Sequence, residues 1–398
     1  MSSGVELLDL VTRWIHVIAG IMWIGNSLLF NWLDRSLVQG GAHPQTRKPV
    51  GTIWLLHSGG FYYVEKTLLE GDRLPAPIHW FKWQAYTTWL SGAALLIVVY
   101  YSGGRALMNE PSSIGGFSHE QATWIGIGAI VFGWAMYEVM QRLVAPRLPS
   151  IAALAWVIAF TAIAVGLTHV LNGRAAFLHV GALLGTIMAG NVFLTIVPSQ
   201  RELVASVESG SSGLSAVSAR AKRVSIHNNY FTFPVIALMV SNHFSTIYGS
   251  RYNWLSMLII IAGGVAVRHI LNIRWTYSWW RPALASAIAA TILLIWVVMN
   301  RGAPTAVAGP SSSGPVSFAD VRHVIDRRCA VCHSARPTDV TFGPAPAGVM
   351  FDDRAQIESR AARIRERAFV TRTMPPANKT GITDAERALL GAWAANPR

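Results

Sequence analysis

The chain has 398 residues, of which 52% are hydrophobic and only 13% charged, about half the charged share of a soluble globular domain. With a mean hydropathy of +0.37, this composition excludes a disordered chain, a coiled coil and an ordinary soluble enzyme. Two cysteines exclude a disulfide framework. The net charge of +13 lies on basic residues scattered between apolar runs, which reads as membrane topology and not as a nucleic-acid surface.

Eight apolar stretches are long enough to span a bilayer core, at 11–33, 84–102, 122–141, 150–170, 175–197, 229–248, 254–272 and 282–300. They predict an all-α membrane domain over 1–300, an eight-helix bundle. Trp14-Ile-His16-Val resembles Phe177-Leu-His179-Val, and Gly25-Asn26 resembles Gly190-Asn191, so two parallel four-helix halves would account for the pattern; chance similarity between apolar helices would do so equally. The insert at 34–83 mixes Trp54, Phe61, Tyr62, Tyr63, Trp80 and Trp83 with basic residues, which suits an interfacial helix or a plain amphipathic packing segment.

Charge gives the orientation. With the N-terminus outside, the inner loops hold fourteen Lys and Arg and the outer loops three, a bias of the kind that sets topology. No basic segment precedes the first apolar run, so no cleavable signal peptide is expected. Eight spans would return the C-terminal domain to the outer side.

Polar residues inside the spans are functional candidates by default. Asn26, Asn31, Glu138, Asn191, Thr195, Asn228, Asn229, Arg268, His269 and Asn272 form a band. Arg268 could pair with Glu138, anchor the membrane boundary, or hold a planar anion through its fork. His16 and His179 would occupy equivalent places in the two halves and could ligate a b-type haem as neutral imidazoles; hydrogen bonding between helices is the alternative. No phosphate-binding loop, serine-hydrolase elbow or zinc-protease motif is present.

Beyond Arg301 the character changes. Residues 301–316 are a flexible tether of Gly, Pro, Ser and Ala, with a reach of roughly 20 Å. Residues 317–398 form a polar domain containing Cys329-Ala-Val-Cys332-His333, the attachment signature of a c-type haem. Two thiols three positions apart can add to the two vinyl groups, and the next residue presents an imidazole to the iron. Met374, 41 residues after His333, is the candidate sixth ligand, and His/Met ligation suits an electron acceptor. Ser317 starts a helix with Phe318, Val321, Val324 and Ile325 on one face. Thr383 and Glu386 form a capping box before a helix carrying Leu389, Leu390 and Trp393. A small all-α cytochrome c domain of class I is expected, on the periplasmic side of a bacterial inner membrane, where c-type haems are attached.

The opening Trp14-Ile-His16-Val-Ile-Ala-Gly-Ile-Met-Trp23-Ile-Gly25-Asn26, the aromatic insert, the spans and the C-x-x-C-H domain ending in Met374-Pro375-Pro376 together resemble the bacterial membrane-bound urate oxidases with a C-terminal cytochrome c domain (the PuuD type). The resemblance implies oxidation of urate to 5-hydroxyisourate, with electrons passed through haem c to a downstream cytochrome oxidase or soluble cytochrome c and no direct formation of peroxide. Residue chemistry adds the candidates Arg268, His269, Asn191 and Asn26 for the reaction. Competing readings are a quinol-linked electron carrier without a purine substrate, and a purine transporter with a redox-sensing tail.

Overall fold

The computed structural model describes residues 3–38, 49–67, 74, 77–102, 108, 116–209, 214–250, 252–301, 316–339, 346–375 and 378–395. Most of the tether therefore lies outside the described residues. In chain order the elements begin with α1 (Ser3–Ser36), β1 (Pro49–His57), β2 (Gly60–Thr67) and α2 (Trp83–Leu95), which runs on as a wider π-type stretch over Leu96–Tyr101. Next come α3 (His119–Val139), α4 (Pro149–Val170), α5 (Gly173–Asn191), α6 (Val197–Ser209) and α7 (Leu214–Val240). Then α8 (Ser245–Tyr248), α9 (Asn253–Ile273) and α10 (Trp280–Arg301) complete the first 301 residues. The remainder holds α11 (Phe318–Arg328), α12 (Arg354–Ser359), α13 (Ala361–Ile364) and α14 (Asp384–Ala395).

Among the described residues, six helical segments are long and apolar enough to cross a membrane: Leu7–Ser36, His119–Val144, Pro149–Val170, Gly173–Ser209, Asn253–Ile273 and Trp280–Asn300. They are consistent with a multi-pass membrane protein. The expected spans at 84–102 and 229–248 are helical too, but neither reaches that apolarity. Gln84, Tyr86, Thr87, Thr88 and Ser91 dilute the first. In the second, α7 starts at Leu214 and runs through Arg220, Lys222, Arg223, His227, Asn228 and Asn229 before its apolar half.

The expected interfacial helix in the insert is instead a β-hairpin, with Trp54 opposite Tyr63 and His57 opposite Gly60. Its two-residue turn, Ser58-Gly59, has positive φ at both positions, 49° and 76°, the type I′ geometry whose twist matches antiparallel strands. Alternating Ile, Trp, Tyr and Val positions suit a strand better than a helix. One face of the hairpin exposes Trp54, Leu56, Phe61 and Tyr63. Its root is tied to the end of α1 by the Val38–Thr52 bridge and by Lys66 on Asp34 at 2.6 Å.

Helix α5 is the hub of the bundle. Ala175, Phe177, Val180, Leu183 and Ile187 along it are fully buried, and it packs against α3, α4 and α7, while α7 packs against α9 and α9 against α10. Local chemistry starts these helices where they start. Ser118 and Gln121 form a reciprocal capping box at α3, Pro149 opens α4, and Asn172 accepts from the Arg174 N–H at α5. Large apolar side chains of α1 and α10, such as Trp14, Ile21, Ile292 and Trp296, face outward, as lipid contact requires.

A second, separate hydrophobic cluster joins Val321, Val324 and Ile325 of α11 to Phe351, Ile357, Ile364, Leu390 and Trp393. The Ser317 cap and the Thr383–Glu386 capping box are both formed. Phe318 meets Trp393 at 6.1 Å between centroids, so α11 and α14 pack as their apolar faces predict.

Gly126 of α3 lies flat against the fully buried His179, and a Cβ there would come within 2.6 Å of its Nε2. Gly126→Val is therefore expected to destabilise the protein by about 1–3 kcal/mol. Gly128→Val, where a Cβ would meet nothing within 4 Å, should be near neutral. Thermal unfolding in a single detergent compares the two.

Candidate functional site

Two polar networks cross the bundle, and both are anchored on α7. On one side, Asn228 accepts from Asn191 Nδ2 at 2.8 Å and donates to the Met188 carbonyl at 3.0 Å. Asn191 also donates to the Tyr137 hydroxyl at 2.9 Å. That leaves the Tyr137 proton for His227 Nδ1, 2.8 Å away, so the chain runs in one direction, from Asn191 through Tyr137 to His227. Asn191, Asn228 and Tyr137 are all buried, and satisfied buried polar groups of this kind hold a single arrangement.

On the other side, Asn229 Oδ1 accepts from Arg268 Nε at 2.9 Å and from Asn272 Nδ2 at 2.8 Å. Arg35 of α1 donates to the Asn272 backbone carbonyl. Arg268 is 4% exposed and lies over the Phe233 ring at 5.6 Å. Its Nη2, together with Asn229 Nδ2 and Asn272 Oδ1, is buried without a protein partner. Unsatisfied polar atoms cost about 1–3 kcal/mol each, and such places take up water or a ligand.

The expected site residues are therefore divided. Asn191 and Arg268 sit in adjoining networks. The expected Arg268–Glu138 alternative is not formed: Glu138 pairs with Arg142 at 2.7 Å. His269, next to Arg268 in sequence, faces outward and bonds the Tyr230 hydroxyl at 2.8 Å, because consecutive helical residues point about 100° apart. Asn26 is half-buried on α1 and joins neither network among the described residues.

His16 and His179 are not brought to a common point. His16 Nδ1 donates to the Thr88 carbonyl at 2.9 Å, on α2. His179 donates from Nδ1 to the Ala175 carbonyl at 2.8 Å and accepts at Nε2 from Tyr101 at 3.0 Å. With Nε2 held by Tyr101 and the backbone of Gly126 against its ring, His179 as folded does not fit a macrocycle.

A cavity of about 420 Å³ opens beside Asn191, lined also by Glu138, Gln141, Arg142, Leu194, Thr195, Arg220, Arg223 and Val224. Tyr137, His227 and this cavity are the parts sequence reasoning did not assemble. A tyrosine in the middle of an apolar span was the available signal for the first.

In the C-terminal domain, the backbone N–H groups of Cys332 and His333 both reach the Cys329 carbonyl, at 3.1 and 2.9 Å. This tight turn gathers the three side chains. Both cysteines are free. Burial pushes the Cys329 thiol up to about 12 and the Cys332 thiol upward too. A thiol–disulfide oxidoreductase needs the opposite shift. His333 Nδ1 donates to the Val349 carbonyl at 3.1 Å, which fixes the tautomer and frees Nε2 for a metal. Burial lowers its basicity, which favours the neutral form that a ligand needs. Among the described residues no three His, Cys, Asp or Glu side chains gather into a metal cluster; a haem iron needs only one imidazole and one thioether.

The Met374 segment is held by a residue that the sequence did not flag. Arg387 of α14, 4% exposed, donates to the carbonyls of Ala368 at 2.5 Å and Met374 at 2.7 Å, and to Asn378 Oδ1 at 3.3 Å. The residues present thus fit a covalent c-type haem, with two thiols, one oriented imidazole and a clamped methionine segment.

A family model described as "Urate oxidase N-terminal" matches residues 2–300, and the chain belongs to that family. Comparison with curated proteins and with solved structures gives no match.

Asp352 accepts from Ser334 Oγ at 2.5 Å and from the Ala335 N–H at 2.8 Å, and these bonds, Ser334 first, hold its carboxyl below the usual range. A depressed carboxylate stabilises above its unfolded pKa of ~3.9 and loses that contribution as pH falls through the lower folded value. The protection of the Ala335 amide, taken relative to the intrinsic exchange rate at each pH, should therefore fall only below about pH 4, and Asp352→Asn should lower it at every pH. Acid-insensitive protection would contradict this.

Proposed function

We propose that this member of the urate oxidase family oxidises urate within the membrane domain and passes the electrons, one at a time, to a c-type haem on its C-terminal domain. In this reading all eight helical stretches at 11–300 cross the membrane. The N-terminus and the C-terminal domain lie on the periplasmic side of a bacterial inner membrane, as the charge bias requires. The observation that carries the reading is the coincidence, in one chain, of the family match over residues 2–300 with a C-x-x-C-H turn that gathers two free cysteines and a pre-oriented imidazole.

The chemistry balances without oxygen as the direct oxidant. Urate monoanion plus water gives 5-hydroxyisourate, one proton and two electrons. The protein must hold an anion, take a proton and provide an exit for electrons. Asn191 presents an amide at the wall of the cavity. Tyr137 and His227, already aligned donor to acceptor, can carry the proton away. Arg268, buried in the adjoining network with Nε committed to Asn229 and Nη2 without a protein partner, supplies a fixed positive charge within the bundle. His269 and Asn26 have no part in this arrangement.

Haem c supplies a one-electron acceptor. Cys329 and Cys332 would bind it covalently, and His333 and Met374 would ligate its iron, with Arg387 holding the Met374 segment in reach. Electrons then leave to a downstream cytochrome oxidase or soluble cytochrome c. The tether of about fifteen residues gives the domain a reach of roughly 20 Å and a high effective concentration at its donor.

Two outcomes follow. Met374→Ala should lower the haem potential and slow turnover with haem still attached; an unchanged potential excludes Met374 as the axial ligand. Arg387→Met should leave the haem attached but weaken the methionine-to-iron charge-transfer band, because the clamp on the Met374 carbonyl is gone. Spectroelectrochemistry of the membrane-extracted protein reads both, and an intact band in Arg387→Met would deny the clamp.

A further inference from the structure

The hairpin β1–β2 is not built like an ordinary surface hairpin, in which one face is apolar and the other polar. Four consecutive rungs, Ile53–Val64, Trp54–Tyr63, Leu55–Tyr62 and Leu56–Phe61, are apolar or aromatic throughout. Side chains alternate between the faces of a strand, so both faces are apolar. Polar residues are confined to the ends, with Glu65 and Lys66 at the root and His57 and Ser58 at the turn. Trp54, Leu56 and Phe61 are 66%, 69% and 76% exposed. Only the root is seated, by the Val38–Thr52 bridge and by Lys66 on Asp34. Beyond the root neither strand packs extensively on another described element. A two-stranded hairpin is marginal in water by itself, so these faces call for an apolar neighbour.

Three observations select that neighbour. The first is depth. The hairpin is tied to α1 just beyond the end of its apolar segment, Leu7–Ser36, which is where α1 leaves the hydrocarbon. The second is company. Phe81, just before α2, meets Phe30 of α1 at 5.1 Å, and Lys82 lies over the ring of the exposed Trp83 at 5.4 Å. Arg35 of α1 donates to the Asn272 carbonyl, which brings the turn between α9 and α10 to the same end. There Trp275 and Trp279 are exposed, with Arg274 over Trp275 at 4.7 Å. Exposed tryptophans beside cations are the residue pattern of a membrane–water interface, and Trp54, Tyr62 and Tyr63 continue it along the hairpin. The third is the surface to be covered. A second copy packed sheet on sheet covers one face, and so does a docked protein; a lipid interface surrounds both.

We propose that β1–β2 is an interfacial anchor, lying along the membrane surface at the level of the phospholipid headgroups and the first acyl carbons, with Trp54, Leu56 and Phe61 directed into the bilayer. The backbone sets this depth. The outer N–H and C=O groups of a two-stranded sheet find no partner in hydrocarbon, whereas headgroups and water supply one. The nine residues of β1 extend about 30 Å. A hairpin standing upright in the bilayer would carry its open edges across the core, and one standing upright in water would expose both apolar faces. Lying flat avoids both costs. The cross-strand contact of Trp54 with Tyr63, 5.0 Å between centroids, makes a broad aromatic plate whose indole N–H and phenol O–H can reach the wet side. Through the Val38–Thr52 bridge and the Lys66–Asp34 pair, an anchor seated in this way fixes how deep α1 stands.

The test uses the full-length protein in phosphatidylcholine nanodiscs, with an environment-sensitive fluorophore on single introduced cysteines. Leu56→Cys and Phe61→Cys report the lipid face, and Ala355→Cys, exposed on α12, is the aqueous reference. The natural sequence carried through the same labelling gives the background from Cys329 and Cys332. The two hairpin labels should emit at shorter wavelength than the reference. They should lose most of their emission to lipids carrying a nitroxide near the carbonyl end of the acyl chain and less to lipids carrying it near the methyl end, while the reference loses none. Trp54→Asp added to Leu56→Cys should weaken that quenching. Reference-like emission without quenching at both hairpin positions would overturn the anchor. Quenching strongest from the methyl end would overturn the flat placement. Short-wavelength emission without lipid quenching, accompanied by energy transfer between labels on two copies, would overturn it in favour of a chain-to-chain interface.

Discussion

Two adjacent asparagines on one helix hold the membrane domain together. Asn228 and Asn229 point about 100° apart on α7, one to Asn191 and the Met188 carbonyl on α5, the other to Arg268 and Asn272 on α9. In an apolar medium helices gain little from hydrophobic burial against each other, so small-residue contact and polar bonds carry their association. The register of α5, α7 and α9 therefore depends on these amides. The same bonds place Asn191 against Tyr137 and bury Arg268, so the groups suited to chemistry are also the groups that fix the fold. A change at either asparagine would alter both at once.

Much of the C-terminal domain was legible because its signals are local. The Ser317 cap, the Thr383–Glu386 box and the faces of α11 and α14 each follow from a few consecutive residues. The C-x-x-C-H segment likewise forms the tight turn that its spacing implies. Arg387 was not legible, because nothing in its neighbourhood says that a charged residue of α14 will reach the Met374 carbonyl thirteen positions back. The hairpin at Pro49–Thr67 is harder to read for a simpler reason. Its aromatic and basic content suits an amphipathic surface helix equally well, and only the Ser58-Gly59 turn between two alternating runs marks it as a hairpin.

Within the membrane the band of polar residues was visible, but its pairing was not. Composition flags Asn191, Asn228, Asn229 and Arg268 as costly in lipid, yet several partners exist for each, and only the packing of α7 between α5 and α9 chooses. Arg268 took Asn229 and not Glu138, and His269 turned outward, because neighbours in sequence cannot share a face of a helix. The apparent equivalence of His16 and His179 fails in the same way. Similar tripeptides in α1 and α5 meet different neighbours, a carbonyl of α2 in one case and Tyr101 with the glycine backbone of α3 in the other.

The account joins a membrane domain of the urate oxidase family to a tethered iron as its electron acceptor, and the link is best tested directly. Purified full-length protein, oxidised and kept strictly free of oxygen, is mixed rapidly with urate while the haem absorbance is followed. The account predicts that the iron becomes ferrous as urate disappears, two irons reduced for each urate consumed. Urate consumed while the iron stays ferric would contradict it.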